Sequence, residues 1–380
     1  MRFNQISGLL FAGLLTLHSA QEAAAQPSLK EAYQGVFLIG AVISQTQFFE
    51  RDPRGVPIIK AQFSSITAEN VLKWQSVHPQ FGRYAFDAPD RYVTFGEANG
   101  MAIIGNPLVW HNQTPAWVFQ VLNGQTANRE SMLSRMRDHI LTVVGHYKGR
   151  IKGWDVVNEA INEDGTMRET PWFQIIGEDY VAKAFEYAHE ADPEAELHYN
   201  DFNLESEPKR AAALALIQKL QAQGVPIHAI GLQHHVKLGT PTPEQVDLTI
   251  EAFAKLGIKV MITELDVDMV PPAPRVAPRS AAAAPPQAGT NQLAATSSNP
   301  NPYADGLPDS VQQALANRYA DLFAVYLKHR DVITRVTFSA VTDGDSSLNA
   351  PGRVNHPLLF DRTGQPKAAL EAVIKVAPQK

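Results

Sequence analysis

The chain has 380 residues, 44% of them hydrophobic and 19% charged, with a formal net charge of −6 and no cysteine. That length and apolar content supply a large core, and the acidic balance offers no basic surface for nucleic acid. Lack of cysteine excludes disulfides, thiol nucleophiles and thiolate metal sites.

Residues 1–25 place Arg2 ahead of an apolar run from Ile6 to Leu17 and end in Ala23-Ala24-Ala25, the layout of a secretory signal peptide. Export to a periplasm or the cell exterior is therefore expected, with 26–380 as the mature chain. The apolar run is too short to span a bilayer and no later stretch is long enough, so no membrane association is expected.

From Phe37 onward eight short apolar runs alternate with amphipathic stretches. They are Phe37–Ala41, Phe63–Thr67, Ala102–Val109, Ile151–Val157, Glu196–Tyr199, Ile227–Leu232, Lys259–Thr263 and Val336–Val341. Between them, Leu133, Met136, Ile140, Val143 and Tyr147 recur at a three-to-four spacing and predict a helix over 131–148. Leu315, Tyr319, Leu322, Phe323 and Tyr326 predict another over 311–330. Eight strand–helix units predict a single α/β domain, a (β/α)8 TIM barrel. No glycine-rich nucleotide loop follows the first run, which removes the usual rationale for an open doubly wound sheet.

One segment breaks the rhythm. Residues 271–307 hold eight prolines and ten alanines without apolar periodicity, and are read as a flexible insertion after the seventh barrel strand. Because it follows that strand, it leaves from the face where such barrels carry their active sites.

Seven of the eight runs end in strongly polar residues: Glu69-Asn70 with Lys73, Trp110-His111-Asn112-Gln113, Asn158-Glu159, Asn200-Asp201, Gln233-His234-His235, Glu264-Leu265-Asp266 and Asp343-Gly344-Asp345. A single polar strand end usually satisfies loop backbone. Seven that converge on one cleft point to a site. Two glutamates among amides, histidines, a lysine and tryptophans are what sugar hydrolysis requires: one carboxylic acid protonates the leaving oxygen while a second carboxylate attacks, or activates water at, the anomeric carbon. His234 and His235 are adjacent on a strand and point to opposite faces, no His-Glu-x-x-His helix is present, and neither a metal nor another cofactor is expected. No Gly-x-Ser-x-Gly turn supports a serine nucleophile.

The run Gly257-Ile258-Lys259-Val260-Met261-Ile262-Thr263-Glu264-Leu265-Asp266-Val267 fits, position by position, the nucleophile signature of glycoside hydrolase family 10. The chain resembles that family, the retaining endo-β-1,4-xylanases built on an eightfold β/α barrel, from about Leu29 to its C-terminus. The resemblance implies Glu264 as the nucleophile and Glu159 as the general acid that later serves as base. It implies Asn158 on the sugar 2-hydroxyl, His235 on Glu264 with Asp266 steadying the imidazole, and Glu69, Asn70, Lys73, His111, Trp117 and Gln233 as further sugar contacts. Xylan or decorated xylan fragments would be the substrate, cleaved by a monomer.

The last strand departs from the family, whose usual pattern is Phe-Trp-Gly-Val followed by Ser-Trp. This chain has Phe338-Ser339-Ala340-Val341 and Ser346-Ser347, so two wall tryptophans are serines. Each lost indole removes about 150–250 Å² of contact surface. A widened cleft for a different β-glycoside, a glucan or plant glycoside, is the alternative this raises, and a non-catalytic carbohydrate-binding barrel is the third reading.

Overall fold

The computed structural model describes residues 26–121, 124–270 and 301–378. The expected signal peptide and residues 271–300 of the expected insertion lie outside them.

Among the described residues nine strands run in chain order: β1 (Leu38–Ile43), β2 (Ser65–Ala68), β3 (Ala102–Gly105), β4 (Gly153–Asn158), β5 (Glu196–Asp201), β6 (Ala229–Leu232), β7 (His235–Lys237), β8 (Lys259–Asp268) and β9 (Ile333–Phe338). β1 to β6 pair in sequence order, all parallel, β6 pairs β8, β8 pairs β9, and β9 returns to β1. Eight strands thus close a parallel barrel with connecting helices, as the alternation predicts. β7 is the addition, lying on the C-terminal end of β8 with His235 opposite Asp266. Three residues in an exposed–buried–exposed pattern leave no apolar run to signal it.

Each predicted run holds a strand, with shifted ends. The run at 102–109 pairs continuously only through Gly105, and Val109 returns as a single bridge to Val157. The last strand begins at Ile333, ahead of its predicted start, and β8 continues past Thr263 to Asp268. Parallel strands covered on both faces read as unbroken apolar stretches, which is why the signal was legible.

Trp154 shows how tightly β3 and β4 fit. The pair Gly105–Trp154 is in register, and a Cβ on Gly105 would lie 2.1 Å from the indole, so only glycine leaves room for the ring. The helix predicted at 131–148 forms over Arg129–His146, capped by Asn128, whose Oδ1 accepts from the Ser131 N–H at 2.9 Å. Met136, Ile140, Val143 and Tyr147 are buried as expected, and Met132 takes the core position in place of half-buried Leu133. The helix Asp309–Lys328 buries Leu315, Tyr319, Leu322, Phe323 and Tyr326.

Both described flanks of the insertion are tied to 353–356. Asp268 accepts two bonds from Arg353 at 2.7 Å and one from Asn355 at 2.6 Å, while Asn301 Oδ1 accepts from the Val354 N–H at 2.8 Å.

Candidate active site

Asn158 and Glu159 are consecutive, and on a regular strand their side chains would oppose each other. Two departures bring both to the cleft. The β4–β5 register shifts between Asp155 and Val157, and Glu159, the first residue past β4, adopts φ +56°. Its N–H donates to the Asn200 carbonyl at 2.9 Å. The carboxyl then meets three N–H donors: Trp110 Nε1 at 2.9 Å on Oε2, and Gln233 Nε2 at 3.1 Å and Asn158 Nδ2 at 3.2 Å on Oε1.

Glu264 stands on β8, where the register with β9 shifts between Ile262 and Leu265. Asn200 Nδ2 donates to its Oε1 at 3.1 Å, and His235 Nε2 lies 3.4 Å from Oε2. The other ring nitrogen of His235 is 3.0 Å from Asp266 Oδ2, and Asp266 is fully buried. Burial opposes charge on the imidazole, but Asp266 and Glu264 outweigh it and hold the His235 pKa well above the usual range. Burial likewise opposes the Glu264 carboxylate, yet the His235 bond and charge, the Asn200 bond and the Lys73 charge together keep its pKa below the ordinary value. Glu264 is thus an ionised, hydrogen-bonded carboxylate next to an imidazolium, the state a nucleophile needs.

The carboxyls are linked by two amides. Asn200 Nδ2 also donates to Asn158 Oδ1 at 2.9 Å, and its own Oδ1 accepts from Thr263 Oγ1 at 2.7 Å. Asn158 in turn donates to Glu159. Lys73 Nζ sits 3.2 Å from Asn70 Oδ1 and 5.3 Å above the Trp110 ring. Burial lowers the Lys73 pKa, against the pull of Glu264, Glu69 and Glu159.

Of the residues expected from sequence, Glu69, Asn70, Lys73, Asn158, Glu159, His235 and Glu264 line one cleft at the C-terminal strand ends. Gln233 reaches it through Glu159, and Asp266 supports His235 from behind. His111 lies edge-on to Trp110 with ring centroids 5.9 Å apart. Trp117 does not line the cleft: its Nε1 donates to the Pro79 carbonyl and its ring packs against Trp74, His78 and Phe81. The short helix after Pro115 turns the indole into this stack. His234, at φ +58°, faces away and bonds Tyr326 and Glu205, so the two adjacent histidine rings serve different environments.

Trp110, Asn200 and Asp345 stood among the polar strand ends but drew no individual role from the sequence, and Asn106 and Gln47, which also line the cleft, drew no notice. Asn106 follows β3 and Gln47 lies in the short helix Gln45–Phe48, and neither position carries a distinguishing pattern. Four of the five tryptophans form one connected group on one side: Trp172 Nε1 donates to the Trp110 carbonyl at 2.9 Å, and Trp74 lies 5.3 Å from Trp172 and 6.3 Å from Trp117. Elsewhere the wall is hydroxylic, with Ser339, Ser347 and Ser44. The Ser339 Oγ is buried without a hydrogen-bond partner.

A closed (β/α)8 barrel with two hydrogen-bonded glutamates at its C-terminal face is the arrangement of a glycoside hydrolase. The model for glycosyl hydrolase family 10 matches residues 28–376, and the chain belongs to that family. It is 39% identical over 367 residues to endo-1,4-beta-xylanase A of Xylanibacter ruminicola, covering 96% of this chain and 97% of the relative. It is 40% identical over 353 residues to endo-1,4-beta-xylanase B of Paenibacillus barcinonensis, covering 92% and 98%. Among solved structures, a family 10 endoxylanase retrieved from a sugarcane soil metagenome superposes with a TM-score of 0.84 at 40% identity, over 92% of this chain and 99% of that one. A mutant of the intracellular xylanase of Thermoanaerobacterium saccharolyticum, in complex with xylotetraose, gives 0.79 at 34% identity, over 91% and 98%.

Proposed function

We propose that this chain is an endo-acting β-1,4-xylanase that cleaves xylan or decorated xylan fragments with retention of configuration. The observation that carries the reading is the unequal treatment of the two carboxyls. Glu264 is ionised beside the His235–Asp266 pair, whereas Glu159 receives only neutral N–H donors from Trp110, Gln233 and Asn158.

In the first step Glu159 protonates the glycosidic oxygen as the Glu264 carboxylate attacks the anomeric carbon, forming a covalent glycosyl-enzyme. In the second, Glu159 takes a proton from water, which displaces Glu264 and restores both groups. Asn158, held between Asn200 and Glu159, is placed to take the sugar 2-hydroxyl, and Glu69, Asn70, Lys73, Gln233 and His111 supply hydroxyl contacts. The layout of residues 1–25 supports export, to a periplasm or beyond the cell. Among the described residues no helix is long and apolar enough to cross a membrane.

Serines at 339 and 347 favour a decorated chain over a bare one, because small side chains line the wall where a ring would otherwise stack. The test is incubation of the mature protein with xylan, arabinoxylan, mixed-linkage glucan and aryl β-glycosides beside Glu264→Ala. Release of xylo-oligosaccharides by the parent alone supports the reading. Cleavage of glucan without xylan, or an equally active variant, overturns it.

A further inference from the structure

Glu159 has a left-handed backbone, a conformation that a residue with a Cβ adopts only when its surroundings impose it. What imposes it is visible in the polar groups that follow. The Glu159 N–H is taken by Asn200, as described. Its carbonyl accepts from Arg168 Nε at 3.0 Å. The next N–H, of Ala160, donates to the Tyr199 hydroxyl at 3.1 Å, and the Ala160 carbonyl accepts the Arg168 backbone N–H at 2.7 Å. The Ile161 carbonyl accepts from Arg168 Nη2 at 3.3 Å. The hairpin closed by the Ile161–Met167 bridge is what returns Arg168 to this position.

Tyr199 is itself fixed from below. Its hydroxyl donates to Asp201 Oδ2 at 2.5 Å, and the other Asp201 oxygen lies 3.0 Å from Lys209 Nζ; Asp201 and Lys209 are both fully buried. One side of the Glu159 turn is thus anchored to a buried ion pair, the other to a half-buried guanidinium.

We propose that Arg168 is a positioning residue for the acid/base carboxyl, acting with Tyr199 to hold the Glu159 backbone in the left-handed state that aims its side chain into the cleft. Arg168 bonds the main chain of Glu159, so it acts through conformation. Released from this clamp, residue 159 relaxes toward extended backbone and its carboxyl swings off Trp110 and Gln233. The chemistry that suffers is proton transfer. Attack by Glu264, on a separate strand, does not depend on it.

The inference rests on Glu159 being the acid/base, and leaving-group dependence tests both ideas separately. kcat/KM, which reports formation of the glycosyl-enzyme, is measured for phenyl and 2,4-dinitrophenyl β-xylobioside. The dinitrophenolate departs without protonation and the phenolate does not. Arg168→Ala is expected to lower the phenyl value about tenfold or more and to leave the dinitrophenyl value within about threefold, a part of the ~10²–10⁴ that general acid catalysis supplies. Arg168→Lys, which keeps one donor, falls between. Tyr199→Phe, which removes the acceptor for the Ala160 N–H but keeps the ring, shows the same selectivity and covers the case in which Arg168→Ala does not fold. Equal losses on both substrates, or none on either, overturn the proposal. Glu159→Ala is the control: if its own loss is the same on both substrates, it is the acid/base reading of Glu159 that fails.

Discussion

Asn200 binds Glu264, the proposed nucleophile, and through Asn158 joins Glu159, the proposed acid/base: a single side-chain amide donates to Glu264 Oε1 and Asn158 Oδ1. Thr263 fixes which end of the amide is the donor by giving its hydroxyl proton to Asn200 Oδ1. Asn200→Ala removes the side-chain amide that joins the two halves of this network. A hydrogen bond to a charged group contributes about 1.5–3 kcal/mol, so kcat/KM on xylo-oligosaccharides should fall by roughly 10–100-fold. Unchanged kinetics in a folded variant would show that the bridge is dispensable.

The pH profile follows from the two shifted groups. Glu264, held below its ordinary pKa, contributes stability and activity above the unfolded carboxylate value and loses both as pH falls through its folded one. His235, held well above its ordinary value, contributes fully below the unfolded value of about 6.5 and loses that contribution as pH rises through the folded one. Asp266→Asn weakens the charge on His235 and so removes part of what keeps Glu264 ionised. The acid limb of kcat/KM against pH should move to higher pH. An acid limb that stays in place would mean that Glu264 does not feel His235.

The serine wall makes an opposite prediction for bare and decorated substrates. An indole adds about 150–250 Å² of contact surface, worth several kcal/mol at about 25 cal/mol per Å² before discounting incomplete burial. Ser347 is exposed at the rim, so a larger side chain there meets little resistance. Ser347→Trp is expected to lower KM for unsubstituted xylohexaose about tenfold and to raise it for an arabinose-substituted one. Parallel changes in both would remove the case for a wall adapted to substituents.

Packing beneath the site is tested at Gly105. A methyl group there lies 2.1 Å from the Trp154 ring and forces the indole or β3 to shift. Overpacking of this kind costs about 1–3 kcal/mol. Gly105→Ala should lower Tm by several degrees and reduce activity through displaced β4. A Tm equal to that of the parent would show that the indole moves freely.

The barrel was legible because eight buried parallel strands leave eight apolar runs, and the two carboxyls of the cleft because Glu159 and Glu264 each follow one. β7 escaped notice because three residues of mixed exposure carry no pattern. Backbone twist was equally silent: alternation along β4 gives opposite faces to Asn158 and Glu159, and only the register shift and the positive φ reconcile them. Trp117, which the family resemblance puts among the sugar contacts, spends its indole N–H on the Pro79 carbonyl and packs on Trp74, His78 and Phe81, a placement the sequence does not announce. Arg168 lies nine residues past the carboxyl it steadies, across a hairpin that the sequence does not announce.

The grouping of Trp74, Trp110, Trp117 and Trp172 gives the protein a built-in optical signal. Trp110 forms part of the cleft lining and the other three lie within a few ångströms of one another behind it, while Trp154 is shut in the barrel against Gly105. Sugar that settles on Trp110 changes the polarity around that indole, and no tryptophan from the serine side adds a competing change. Intrinsic emission during a titration of the Glu264→Ala protein with xylo-oligosaccharides therefore reads occupancy of the catalytic end of the cleft directly, without a label.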